Sequence, residues 1–113
     1  MSTYRFYAQL QKNRENIATS DQQFSQPPTY SEAVAVVQGL KSKVTSPELP
    51  KKAHEDFEAT VDKVVTWLGN NRGTSYEGNG DITAARREFQ YSRETYRVDI
   101  GIGGKTVDSI WFV

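Results

Sequence analysis

The sequence predicts an α+β domain: an antiparallel sheet, built from an N-terminal strand and a C-terminal meander, with two amphipathic helices packed on one face. Three observations predict it. Residues 3–11 and 96–102 alternate apolar and polar side chains, the period of a half-buried strand. Two stretches between them, opening at Thr29 and at Pro50, place apolar residues at helical spacing instead. The chain also closes on Ile110-Trp111-Phe112-Val113, its densest apolar run, which is expected to be buried. A length of 113 residues suits a single domain, 1–113, large enough to bury about two-thirds of its unfolded surface without disulfide or metal staples.

The first strand sets Tyr4, Phe6, Ala8 and Leu10 against Arg5, Tyr7, Gln9 and Gln11. From Lys12 to Pro28 only Ile17 and Phe24 interrupt a polar run rich in Gln, Ser and Asn, which reads as an irregular loop. Thr29 followed by Glu32 fits a capping box, and Tyr30, Ala33, Val34, Val37, Leu40 and Val44 line one helical face with Gly39 on the solvent side. Ser46-Pro47-Glu48-Leu49-Pro50 punctuates the chain. A second helix follows from about Pro50 to Leu68, with Ala53, Phe57, Val61, Val64, Val65, Trp67 and Leu68 as its stripe and Gly69-Asn70-Asn71 as its stop.

Residues 70–81 read as a second long loop. Ile82 to Tyr91 carries both signals: Ala84 to Glu88 favours helix, Phe89-Gln90-Tyr91 favours strand. The period of Phe89 and Tyr91 places a strand over roughly 86–92, ended by a turn or bulge at Ser92-Arg93-Glu94. Tyr96, Val98, Ile100 and Ile102 then form the next strand. Gly103-Gly104 would turn it into a hairpin whose returning arm is 105–113. In that register Asp99 faces Asp108, and two opposed carboxylates need relief from Arg97, Lys105, a bulge at Asp108-Ser109 or a cation. The bulge would also turn Ile110 and Phe112 inward beside Val107.

Composition excludes several function classes. There are no cysteines, so no disulfide, thiol catalysis or Cys-ligated metal. Fourteen basic residues balance fourteen acidic ones, which disfavours a nucleic acid or an anionic membrane as partner. No apolar run approaches the ~20 residues of a membrane span, and the N-terminus lacks the pattern of a signal peptide, so a soluble cytoplasmic protein is expected. Gly101-Ile102-Gly103-Gly104-Lys105-Thr106 resembles a phosphate loop only in part, because the glycine required five residues earlier is Asp99 and no helix follows. No cofactor and no metal site are expected. His54, the one histidine, falls at the edge of the second helix's stripe without a nucleophile in a recognisable setting, which argues against a conventional hydrolase. Pro27-Pro28-Thr29-Tyr30 matches a WW-domain ligand pattern, and a helix entry explains the same letters.

What remains points first to a small protein that binds another macromolecule without catalysis, of the inhibitor, immunity or adaptor type. Tyr76, Tyr91, Arg93, Arg97, Asp99 and Asp108 are the candidate partner-binding residues, since aromatics and arginine anchor interfaces. The alternative is a small-ligand binder or minor enzyme with a pocket near Asp99, Asp108 and the 70–81 loop. A third reading takes Arg86, Arg87, Phe89, Tyr91, Arg93, Tyr96 and Arg97 as a single-stranded nucleic-acid platform, although 72–113 carries six basic and six acidic residues. A homo-oligomer through an open edge of the C-terminal hairpin stands beside the monomer as an equal expectation.

Overall fold

The computed structural model describes residues 3–44, 49–78, 80–104 and 109–113. In chain order the elements are β1 (Tyr4–Lys12), β2 (Glu15–Phe24), α1 (Tyr30–Lys43), α2 (Lys51–Asn70), β3 (Thr74–Tyr76), β4 (Ile82–Tyr91), β5 (Glu94–Gly104) and β6 (Ser109–Trp111). Strands β2-β1-β5-β4 form one four-stranded antiparallel sheet, while β3 and β6 form a separate two-stranded ribbon. This is an α+β fold with both helices on one face of the large sheet. Among the described residues no helix is long and apolar enough to cross a membrane.

The core follows from the alternation. Phe6, Ala8 and Leu10 of β1 and Tyr96, Val98, Ile100 and Ile102 of β5 point to the helices and are buried. They meet Ala33, Val36, Val37 and Leu40 of α1 and Ala53, Phe57, Thr60, Val61, Val64 and Leu68 of α2. The capping box forms as expected: Glu32 N–H donates to Thr29 Oγ1 (3.3 Å) and Thr29 N–H donates to Glu32 Oε1 (3.1 Å). Helix α2 begins behind Pro50 and ends at Asn71, whose N–H donates to the Leu68 carbonyl (3.2 Å). The rest of the Ser46–Pro50 punctuation lies mostly outside the described residues.

Four sequence expectations are corrected. The polar run after Lys12 is not a loop. It is strand β2, joined to β1 through a two-residue turn at Asn13 and Arg14, both with positive φ (50° and 73°). Its apolar residues are few because β2 is an edge strand whose covered face the helices reach only in part: Ser20 is buried there and Gln22 is exposed. Gly39 does not face solvent either: a Cβ there would lie 3.1 Å from Ser20 Oγ, which donates to the Val36 carbonyl (2.7 Å), so the missing side chain lets α1 settle onto β2. The strand placed at 86–92 starts earlier, at Ile82, with a register shift between Thr83 and Ala85 and a tight turn at Ser92 (φ 60°) and Arg93.

The fourth correction concerns the C-terminal hairpin. Gly103 and Gly104 are not its turn. They are the last residues of β5, paired with Arg5 and Tyr4 of β1. Strand β5 is already paired on both edges, to β1 and β4, so the final segment pairs elsewhere, with β3 inside the 70–81 stretch. Trp111 and Phe112 are both fully buried although adjacent, because Phe112 adopts a positive φ of 61° that breaks strand alternation; Ile110 is 55% exposed rather than turned inward. Phe112 N–H donates to the Pro28 carbonyl (3.0 Å) and Tyr30 N–H to the Val113 carbonyl (3.1 Å), which fastens this segment to the start of α1. Pro28 is buried there, so the Pro27–Tyr30 motif is engaged within the fold. The Asp108-Ser109 bulge, Lys105, Thr106 and Val107 fall on or beside residues outside the described set.

Candidate functional site

Alternation sends one set of side chains to the helices and leaves the opposite face of the sheet open. Register then assembles that face in rows. Arg5 lies between Gln23 and Gly103, Tyr7 between Asp21 and Gly101, Gln9 between Thr19 and Asp99, and Gln11 between Asn16 and Arg97. Strand β4 completes them, with Thr83 beside Gly101, Arg86 beside Asp99 and Glu88 beside Arg97. The face is polar throughout, and two clusters fix its charged groups.

In the first cluster Arg5 donates from Nε (3.1 Å) and Nη2 (2.9 Å) to Asp21 Oδ2, and its Nη1 is 3.8 Å from Asp81 Oδ2. The guanidinium sits over the Tyr7 ring at 4.3 Å. Tyr7 in turn lies flat across Gly101, where a Cβ would stand only 2.1 Å from its Cζ, so the glycine is a notch that receives the ring. In the second cluster Asp99, its side chain 5% exposed, is shared by two arginines: Oδ1 is 3.1 Å from Arg97 Nε and 3.3 Å from Arg86 Nε. Neither contact to Oδ1 is aligned for a hydrogen bond, so charge holds both. Arg97 Nη2 also donates to Gln11 Oε1.

At the hairpin end of the face, Asn13 ties the two halves of the sheet together. Its N–H donates to the Thr95 carbonyl (2.8 Å), and its Oδ1 accepts from Thr95 N–H (3.0 Å). Asn13, Arg14, Glu88, Thr95 and Arg97 line a shallow depression of about 390 Å³ there.

The Tyr7 phenol is pushed above its ordinary value of 10.0, first by burial, then by the Asp81 carboxylate, with Arg5 opposing and Asp99 adding a little. The folded chain thus holds this proton more tightly than the unfolded chain does. Its contribution is complete below pH 10 and is lost as pH rises from there through the folded value. Ultraviolet titration of phenolate, taken as wild type minus Tyr7→Phe, is expected to show Tyr7 ionising late. Asp81→Asn should bring that step to lower pH, and an unchanged step would remove Asp81 from the account.

The structure gathers some of the sequence-predicted residues and scatters others. Arg97 and Asp99 meet on the open face. Arg93 is exposed in the β4–β5 turn. Tyr91, at the end of β4, is half-buried against the core on the helix side. Tyr76 is half-buried on β3 with its ring edge-on to Trp111 (6.4 Å) and Phe112 (6.4 Å), and burial raises its pKa too. Asp99 lies between Gln9 and Arg86 in the sheet; Asp108 lies outside the described residues. His54 is on α2, with Nδ1 3.4 Å from Glu58 and Nε2 3.3 Å from the Val44 carbonyl.

Alternation also separates the interleaved arginines and aromatics: Arg86 and Arg97 point to the open face, while Phe89 and Tyr96 stack on each other (5.0 Å) on the helix side. Sequence reasoning missed Arg5, Tyr7, Asp21, Asp81, Gln11 and Arg86 as a set. The polar phase of β1 was visible, but its neighbours depend on a strand read as loop and on a register no local pattern specifies. Comparison with protein-family models, curated proteins and solved structures finds no match for this chain.

Proposed function

We propose that the chain acts by binding a protein partner, without catalysis of its own, through the open face of its sheet. One observation carries this reading: the arginines and tyrosine of that face are held in place within the free molecule. Arg5 is fixed by Asp21 and by Tyr7, and Arg97 by Asp99 and Gln11. Long side chains normally lose rotamer freedom on binding, at about 0.5–1.5 kcal/mol each. Here that loss has been met during folding, which favours a rigid docking surface over a solvated one. Arginine and tyrosine are also the residue types that anchor interfaces. Both signs of charge are displayed, consistent with a partner matched group by group instead of a uniformly charged polymer. Inhibitor, immunity and adaptor roles all fit this surface. The nucleic-acid reading loses its stacking platform, since Phe89 and Tyr96 face the helices.

The test is capture of a partner from the native host by wild type and by Tyr7→Ala, Arg5→Ala and a helix-side control, Lys63→Ala. One stoichiometric protein is expected with wild type and with the control. Truncating an anchor costs about 2 kcal/mol or more, roughly thirtyfold in affinity, so both open-face variants should lose it. Capture undiminished by either variant would place the interface elsewhere.

A further inference from the structure

The large sheet has two edges, and they are built differently. On β4 the register shifts between Thr83 and Ala85, Arg86, Arg87 and Glu88 follow in succession, and the Arg87 guanidinium donates back to the Arg86 carbonyl (2.8 Å). A bulge, clustered charge and an occupied backbone acceptor are devices that discourage a further strand. The β2 edge lacks them over most of its length. It contains no Lys, Arg, Pro or Gly, and its register irregularity is confined to the hairpin end, near Ile17. From Ala18 to Phe24 the strand is regular and carries one charge, Asp21, which is paired with Arg5.

We propose that this edge pairs with the same edge of a second copy, in antiparallel register about Ser20, to make a continuous eight-stranded sheet. Opposed residues in an antiparallel pair point to the same face, so a two-fold axis normal to the sheet admits only registers centred on a residue. Centring on Asp21 would oppose two carboxylates. Centring on Ser20 opposes Ser20 to Ser20, Thr19 to Asp21, Ala18 to Gln22 and Ile17 to Gln23, with no like charges in contact. The occupant is a second copy because the five residues from Ala18 to Gln22 complement themselves about Ser20, and because a chain of zero formal net charge is not repelled by its own copy at long range. The two-fold keeps both open faces on the same side, doubling the polar surface. This assignment does not depend on what that surface binds. It replaces the C-terminal hairpin, whose β5 strand is interior, as the edge available for self-association.

Sedimentation of the full chain across the micromolar range tests it, with two variants at one position. Thr19→Asp sets a carboxylate against the partner copy's Asp21 twice per dimer and is expected to weaken association by about tenfold. Thr19→Lys sets an ammonium there and is expected to leave association as tight or tighter. A wild type that stays monomeric throughout, or equal weakening by both variants, overturns the proposal. Should Thr19→Asp not fold, the chain's lack of cysteine supplies the deciding measurement. The double variant Ala18→Cys/Gln22→Cys should oxidise to a covalent dimer far faster than either single variant, since opposed Cα atoms lie about 4.5–5.5 Å apart. Within one chain the two positions are four strand residues, roughly 13 Å, apart and cannot close. Equal dimer yields from the double and single variants count against the register and the proposal with it.

Discussion

Trp111→Ala is expected to remove roughly 3–5 kcal/mol of folding stability, the usual cost of emptying a large aromatic site in a core. A domain of this kind has about 5–15 kcal/mol in all, so the variant should be marginal at best. The reason is where the indole sits. Trp111 is fully buried, with ring contacts to Tyr4 (5.7 Å), Tyr76 (6.4 Å) and Phe112 (6.1 Å), and its carbonyl accepts from Gly73 N–H (3.0 Å). It joins β1, the β3–β6 ribbon and, through Phe112, the start of α1. Two companion variants make the expectation specific. Trp111→Phe should keep most of the stability, because the indole Nε1 has no hydrogen-bond partner among the described residues and nothing polar is lost. Ile110→Ala, at a side chain 55% exposed, should fall within about 0.5 kcal/mol of wild type. Denaturant midpoints at constant slope provide the measurement. A Trp111→Ala protein within 1 kcal/mol of wild type by the same measurement would mean the final segment does not hold the elements together.

The second large effect is expected at Asp99. Asp99→Ala removes the carboxylate that Arg86 and Arg97 share and leaves Arg97 with Gln11 as its remaining polar partner among the described residues. Breaking a buried ion pair from one side costs about 3–5 kcal/mol, because the surviving charge keeps its desolvation without its attraction. Arg86 is 48% exposed and recovers hydration readily, whereas Arg97 is 22% exposed. Solvent therefore screens one of the two contacts, and a loss of about 2–3 kcal/mol is the expected result. Asp99→Asn should lose nearly as much, since shape is kept and charge is not. Adding Arg97→Leu to Asp99→Leu should recover most of the loss, because paired apolar replacements of a buried ion pair are often neutral. A double variant as unstable as Asp99→Ala would show that burial of the arginine is not the origin of the cost. Salt offers a further check: a contact shielded from solvent should change little with ionic strength.

Several elements were legible because their signals are local. The alternation of β1 and of Tyr96–Ile102, the Thr29–Glu32 capping box and the stripe of α2 depend on residues within a few positions of one another, and each was found where the pattern put it. Strand β2 was not legible, because an edge strand only partly covered by the helices needs few apolar residues and its Asn13-Arg14 turn carries no glycine. The hairpin at Gly103-Gly104 failed for a related reason. Two glycines permit a turn but do not require one. Here at least the neighbouring glycine, Gly101, serves close packing, as the Tyr7 ring across it shows.

The candidate site was half legible in the same sense. Which side chains of β1 and β5 share the polar phase is fixed by a period of two. Which of them meet is fixed by register, a property of strands far apart in the chain: Arg5 finds Asp21 across one pairing and Asp81 beyond another. The amino-acid order alone thus determined the class of fold, the inward faces of α2 and of the two central strands, and the absence of cysteine chemistry. Only tertiary structure decided that β5 lies between β1 and β4, that Trp111 and Phe112 are both buried, and that the open face carries its arginines clamped. Local patterns set which way a side chain points, whereas its neighbours are chosen by long-range pairing once the shared core has formed.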